Sequence, residues 1–271
     1  MSRKTEELLA MLIWTGDILS RPTWRNFTDS FESWAYRNGL SRQLQRLEKQ
    51  DWLERREGPA AERLLRLTEA GRQRALGGHD PVVRWNRPWD GRWRMVLFDV
   101  PESHNAVRDS LRRSLRDRGF GYLQNSVWIT PDPLESERVR MEGASIDIAS
   151  LTMFEGRPCG DERDEDIVAG AWDFDAINAR YRAHEKVLAS RPQGRLNTEK
   201  AAGVFHRWIG EEQRAWLQAV RHDPLLPACL LPRDYAGRKA WDQRLETMSE
   251  AGEQMRQFRF VRETTILHTA S

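Results

Sequence analysis

Two cysteines in 271 residues, Cys159 and Cys229, are too few for a disulfide framework and fit no metal-ligand spacing. A reducing, cytoplasmic setting is the expectation. Long hydrophobic runs are also missing. None approaches the roughly 20 apolar residues of a membrane helix, and Glu6, Glu7 and Asp17 break the first apolar stretch as no secretory signal would be broken. No membrane partner is therefore expected. The net charge is only +2, so overall charge does not argue for a nucleic-acid partner. The N-terminal segment has no glycine-rich phosphate loop.

What is present is a globular composition, 39% hydrophobic and 31% charged, with twelve tryptophans. That many indoles are expected in cores and interfaces. The charge is unevenly spread. Residues 37–74 carry ten Lys/Arg against six Asp/Glu, whereas residues 1–36 carry four against five. The length suits two or three domains. We read them as residues 1–80, 88–170 and 171–271.

In the first segment, Leu8, Leu9, Leu12, Ile13 and Leu19 predict a helix over Thr5–Leu19, broken by Ser20-Arg21-Pro22. Phe31, Trp34 and Ala35 predict a short second helix. Leu40, Leu44 and Leu47 form the buried stripe of a third. Strands are expected at Leu53–Glu57 and Leu64–Leu67 around a Gly58-Pro59 turn, then a helix over Thr68–Ala75 capped by Thr68. Three helices and a two-stranded ribbon make a winged helix-turn-helix. Its third helix buries one face and offers the other to a DNA groove. Ser41, Arg42, Gln43, Gln45, Arg46 and Lys49 remain for that groove. Arg can fork onto guanine, Gln onto adenine, and Ser or Lys can hold phosphate. Arg55, Arg56, Arg63 and Arg66 supply the ribbon with backbone contacts. The competing reading is a solvated amphipathic helix in a protein-interaction module.

The middle segment is organised around residues 92–131. Trp93–Pro101 holds the apolar run Met95–Phe98 and reads as a buried strand. Val107, Leu111 and Leu115 form one helical stripe, with Arg108, Arg112 and Arg116 on a second, Arg113 beside it, and Gly119 at the C′ position. Paired strands follow at Gly121–Gln124 and Ser126–Thr130. Asp132-Pro133-Leu134-Glu135 reads as a helix start, and Ser145–Phe154 as a strand. The order is β-α-β-β-α-β, a ferredoxin-like domain in an α+β protein. The acidic run Asp161–Asp166 reads as an exposed loop. Asp99, at the end of the first strand, can hold a divalent metal in a phosphodiester-cleaving site. Its plainer role is to cap the arginine-rich helix or to pair with Arg94 or one of that helix's arginines.

The last segment reads as helical. Helices are expected to about Ala189 from Trp172, with Ile177, Tyr181 and His184 on one stripe, and over Thr198–Arg221. The apolar face of the second is Ala201, Val204, Phe205, Trp208, Ile209, Trp216 and Val220. The prolines of 222–227 force an extended crossing. A last helix over Tyr235–Phe258 leaves Phe258–Leu267 as a further strand or irregular tail. His184, His206 and His222 share no ligand spacing and read as core-edge or surface residues. No catalytic constellation or cofactor site is expected, so the protein is read as no enzyme.

Trp93–Glu102, Gly119–Pro131 with Arg112-Arg113 between them, and the Trp172–Tyr181 helix start resemble PaaX-like repressors of phenylacetic acid catabolism. So does His222-Asp223-Pro224-Leu225-Leu226-Pro227 with Leu230-Leu231-Pro232 and Tyr235-Ala236-Gly237. The resemblance implies a DNA-binding transcriptional repressor that acts as a homodimer on a double-stranded, palindromic operator near aromatic-acid catabolic genes. It implies release by an aryl-acyl-CoA thioester such as phenylacetyl-CoA, with Arg112, Arg113 and Arg116 available for the CoA phosphates. That family's middle domain is similar to the small CRISPR adaptation nuclease, whose metal-binding aspartate matches Asp99. A metal-dependent nuclease is thus the alternative.

Overall fold

The computed structural model describes residues 41–57, 63–71, 80–99, 105–124, 127–134, 150–194 and 199–268. It is a mixed helix and sheet protein that falls into two compact units. Unit 1 comprises Met1–Asp80, Tyr181–Leu217 and Gly237–Ser271; unit 2 comprises Pro81–Arg180 and Gln218–Ala236.

In unit 1 the described N-terminal elements are helix α1 (Ser41–Lys49) and strands β1 (Leu53–Glu57) and β2 (Arg63–Leu67). The strands pair antiparallel, with Leu53 opposite Leu67 and Glu57 opposite Arg63. The helices expected over Thr5–Leu19 and at Phe31–Ala35, and the Gly58-Pro59 turn, lie outside the described residues.

Unit 2 is built on a four-stranded antiparallel sheet in the order β4 (Gly121–Gln124), β5 (Val127–Thr130), β3 (Trp93–Asp99), β6 (Ser150–Gly156). Helix α2 (Pro81–Trp85) precedes the sheet, and helix α3 (Asn105–Asp117) connects β3 to β4. The even-numbered side of β3 meets α3: Val96, Phe98, Leu111, Leu115, Phe120 and Trp128 form one buried cluster. Period-two alternation on the strand and the i, i+4 stripe on the helix put these apolar groups together. The helix ends as its glycine predicts. Gly119 has φ +84°, its N–H donates to Arg116 O, and Phe120 N–H reaches back to Leu115 O. This is a Schellman end, whose hydrophobic contact is Phe120 with Leu115 in the cluster.

Several expectations shift. The last strand ends at Gly156 rather than Phe154, and Ser150 is its first described residue. The helix expected from Asp132 falls on residues outside the described set from Glu135 onward. Asp132 itself takes Arg84 at 2.7 Å and Arg87 at 2.6 Å. The acidic run is not wholly a loop: Asp164, Glu165 and Asp166 are the first turn of helix α4 (Asp164–Ala171). Carboxylates suit that end because exposed N–H groups leave it partly positive.

Helices α5 (Phe174–Ala189), α6 (Glu199–Val220) and α7 (Gly237–His268) follow, with a short 3₁₀ turn at Ala228–Leu230. Asp173 caps α5 by accepting the Ala176 N–H at 2.8 Å. Phe205, Trp208, Ile209, Trp216 and Val220 on α6 are buried, but Val204 is exposed. The tail expected to leave helix near Phe258 continues it instead to His268. The crossing between α6 and α7 is extended, as its prolines require. Asp223 holds it, accepting the Leu225 N–H at 2.8 Å and the Tyr235 hydroxyl. No helix is long and apolar enough to cross a membrane among the described residues.

Candidate nucleic-acid interface

Leu47 is fully buried, so one side of α1 faces the interior of its unit. Arg42, Gln45, Arg46 and Lys49 are exposed. They stand at i, i+3, i+4 and i+7, which is a single helical stripe opposite Leu47. Three cations and one amide therefore share a face about 10 Å long at 1.5 Å per residue. Ser41 and Gln43 belong to the same helix but flank that stripe by position.

The helix stops through a Schellman motif with a non-glycine C′ residue. Asp51 has φ +56°, Asp51 N–H donates to Glu48 O, and Trp52 N–H donates to Leu47 O at 2.9 Å. Aspartate tolerates this left-handed position better than most residues. The turn is then tied to the far end of the ribbon. Thr68 N–H donates to Trp52 O at 3.1 Å, and the Thr68 hydroxyl donates to Asp51 O at 2.6 Å. The same hydroxyl oxygen accepts the Gly71 N–H at 3.0 Å, which is the expected cap. Gly71 lies so close to the turn that a Cβ there would stand 2.1 Å from Trp52 O. Helix, turn and ribbon are one stapled piece.

The register divides the ribbon arginines. Positions 55 and 63 share the side of buried Leu53, whereas 56 and 66 share the side of Glu54. The register thus puts two of the four arginine positions on each side of the ribbon.

The three arginines considered for an anion lie on α3 in unit 2. Arg113 and Arg116 are exposed and Arg112 is half-buried, with its Nε buried. Arg116 sits over the Trp128 ring at 5.5 Å, and the half-exposed Tyr122 packs on the same indole. Asp99 is exposed at the end of β3. It does not pair with Arg94, which lies on the opposite face by strand parity. Arg94 is buried and bonds to Asp90, Glu155 and Pro131 O instead. No group of three or more His, Cys, Asp or Glu side chains stands together as a metal site among the described residues.

One polar constellation escaped sequence reading. His184, Glu212 and Arg244, on α5, α6 and α7, are all fully buried in unit 1. His184 Nε2–H donates to Glu212 Oε1 at 2.8 Å, and Arg244 Nε–H donates to the same oxygen at 2.5 Å. Burial would raise the Glu212 pKa, but the Arg244 charge and the hydrogen bonds from His184 and Arg244 outweigh it and lower it to about 2. His184 is therefore no core-edge histidine. Its only sequence signal was a polar residue on the apolar stripe of Ile177 and Tyr181.

Two family models match this chain. The PaaX protein central Cas2-like domain matches residues 86–168, and the PaaX-like protein C-terminal domain matches residues 172–258. The chain belongs to the PaaX-like family. In this PaaX-like chain the first match spans the four-stranded sheet and the second spans α5, α6 and most of α7. No curated protein matches. A solved structure, "Uncharacterized protein Rv0674 from Mycobacterium tuberculosis", is similar at 22% identity with a TM-score of 0.56. The likeness covers 91% of this chain and 95% of that one. At that identity it is a likeness of fold.

Proposed function

We propose that this PaaX-like chain is a DNA-binding transcriptional regulator, a dimeric repressor whose α1 reads the major groove and whose β1–β2 ribbon is the wing. The observation that carries the reading is the exposed stripe Arg42, Gln45, Arg46 and Lys49, backed by Leu47 and stapled to the ribbon through Asp51, Thr68 and Gly71. A helix held rigidly with donors on one face is what direct readout requires. Arg42 and Arg46 meet base edges, Gln45 reads adenine, and Ser41, Gln43 and Lys49 set the helix on the backbone. Arg55, Arg56, Arg63 and Arg66 contact flanking phosphates, two from each side of the ribbon.

Family membership supports the remainder of the reading. The sheet unit, with its strand order β4–β5–β3–β6, is a ferredoxin-like frame that pairs two chains and sets the distance between two recognition helices. An operator with two-fold symmetry would match that pairing. An aryl-acyl-CoA effector such as phenylacetyl-CoA releases DNA by binding the non-reading state better. Arg112, Arg113 and Arg116 on α3, the last of them over the Trp128 ring, are the residues we assign to it.

Titration of the full chain with DNA from its own upstream region and with random DNA of equal length tests this reading. Binding should prefer the first by about a thousandfold or more and weaken steeply with salt. Equal affinity for both would overturn it.

A further inference from the structure

Nothing in the DNA reading uses the His184–Glu212–Arg244 triad, yet its three side chains are fully buried. Each member comes from a different helix, and Gln213 completes the set by accepting Arg244 Nη2–H at 2.7 Å. Trp216 closes one side: the Arg244 guanidinium stands 4.7 Å from its ring centroid, and the His184 ring meets it at 5.2 Å. Trp241 and Tyr181 pack on the same indole.

Burying ionised groups is a poor way to gain stability. Their desolvation offsets most of their attraction, and well-packed apolar side chains of similar volume often do as well or better. What the charges provide is intolerance of misalignment. The apolar faces of α5, α6 and α7 can repack after a slip, because apolar contacts are not directional. The triad cannot. A one-residue slip of α6 moves Glu212 by about 1.5 Å and turns it by about 100°, leaving Arg244 and His184 without their shared acceptor in the core.

We propose that the His184–Glu212–Arg244 triad is a register lock, fixing the alignment of α5, α6 and α7 at the expense of stability rather than in its service. His184, Glu212 and Arg244, with the stretches of helix that carry them, belong to the compact unit that also contains α1 and the ribbon. Their alignment is thus a property of that unit. The inference stands whether or not α1 reads DNA.

Two variants of the full chain separate alignment from stability. His184→Leu/Glu212→Leu/Arg244→Met replaces the triad with apolar groups, and Glu212→Gln breaks it while leaving Arg244 buried. The readouts are the thermal midpoint and amide hydrogen exchange within α5, α6 and α7 well below that midpoint. The triple variant should melt within about 5 °C of the parent, or higher, while exchange in these helices accelerates about tenfold or more. Glu212→Gln should melt more than about 5 °C lower. Unchanged exchange in the triple variant would show that apolar packing alone sets the alignment, and would overturn the proposal. So would a triple variant that fails to fold or melts as low as Glu212→Gln, since the triad would then be serving stability. An unchanged midpoint in Glu212→Gln would overturn it too.

Discussion

At Glu212 burial and charge oppose each other, and the outcome has a sign that can be tested. Its folded pKa, about 2, lies below the ordinary value of 4.5. The carboxylate therefore adds stability above about pH 4.5, and that contribution fades as pH falls toward 2. Denaturant unfolding of the parent and of Glu212→Gln should differ by about 3–5 kcal/mol near neutrality. The gap should narrow as pH drops through that window. A gap that does not depend on pH would mean that the carboxylate is not held ionised by Arg244 and His184. Gly71 offers a second test at this scale. A Cβ there meets a backbone oxygen, which cannot swing aside, so Gly71→Ala should cost about 1–3 kcal/mol of unfolding free energy. Neither residue stood out in the sequence. Glu212 looks like one more charge on a long helix, because its partners are His184 and Arg244, far away in the chain. Gly71 sits in a helical pattern with nothing to announce a neighbouring turn.

Elements whose signal is local were legible. The Met95–Phe98 run, the Leu111/Leu115 stripe and Gly119 each act through the next few residues, and the strand, helix and C′ turn stand where those residues place them. The acidic run misled because its composition resembles a loop, while its position at a helix start rewards the same charges. The tail after Phe258 misled for the opposite reason: its β-branched residues have strand propensity, yet the helix carries through them. The α1 stripe was readable from Leu47 and its spacing, but its staple was not, since Thr68 touches Asp51 only after the ribbon has folded back. That staple makes a prediction. Thr68→Val keeps the shape and removes both hydroxyl bonds, so the chain should lose about 1–2 kcal/mol of stability. If α1 and the ribbon act together, DNA affinity should fall with it, measured by anisotropy at one salt concentration. Full affinity in a destabilised variant would mean that the ribbon plays no part in binding.

For the molecule as a whole, the proposed repressor couples two ligands. If phenylacetyl-CoA or a related aryl-acyl-CoA loosens operator binding by some factor, linkage demands that operator DNA loosen the thioester by the same factor, about 5- to 150-fold for a coupling of 1–3 kcal/mol. Titrating each ligand in the presence of the other, with free CoA as the control, checks both directions. A saturating thioester that leaves DNA affinity untouched would remove the effector from the account while leaving α1 as a reader. Sequence periodicity cannot reveal such coupling, because it depends on two states of a chain whose pattern encodes only one set of contacts.

The claim on which the rest depends is that the exposed stripe of α1 recognises bases. Arg42→Ala and Arg46→Ala lie on the exposed side, away from buried Leu47, and should fold as the parent does. Measured against the chain's own upstream DNA and against a scrambled duplex, each should lose about 1–3 kcal/mol on the first and much less on the second. Equal losses on both duplexes, or none on either, would contradict the account.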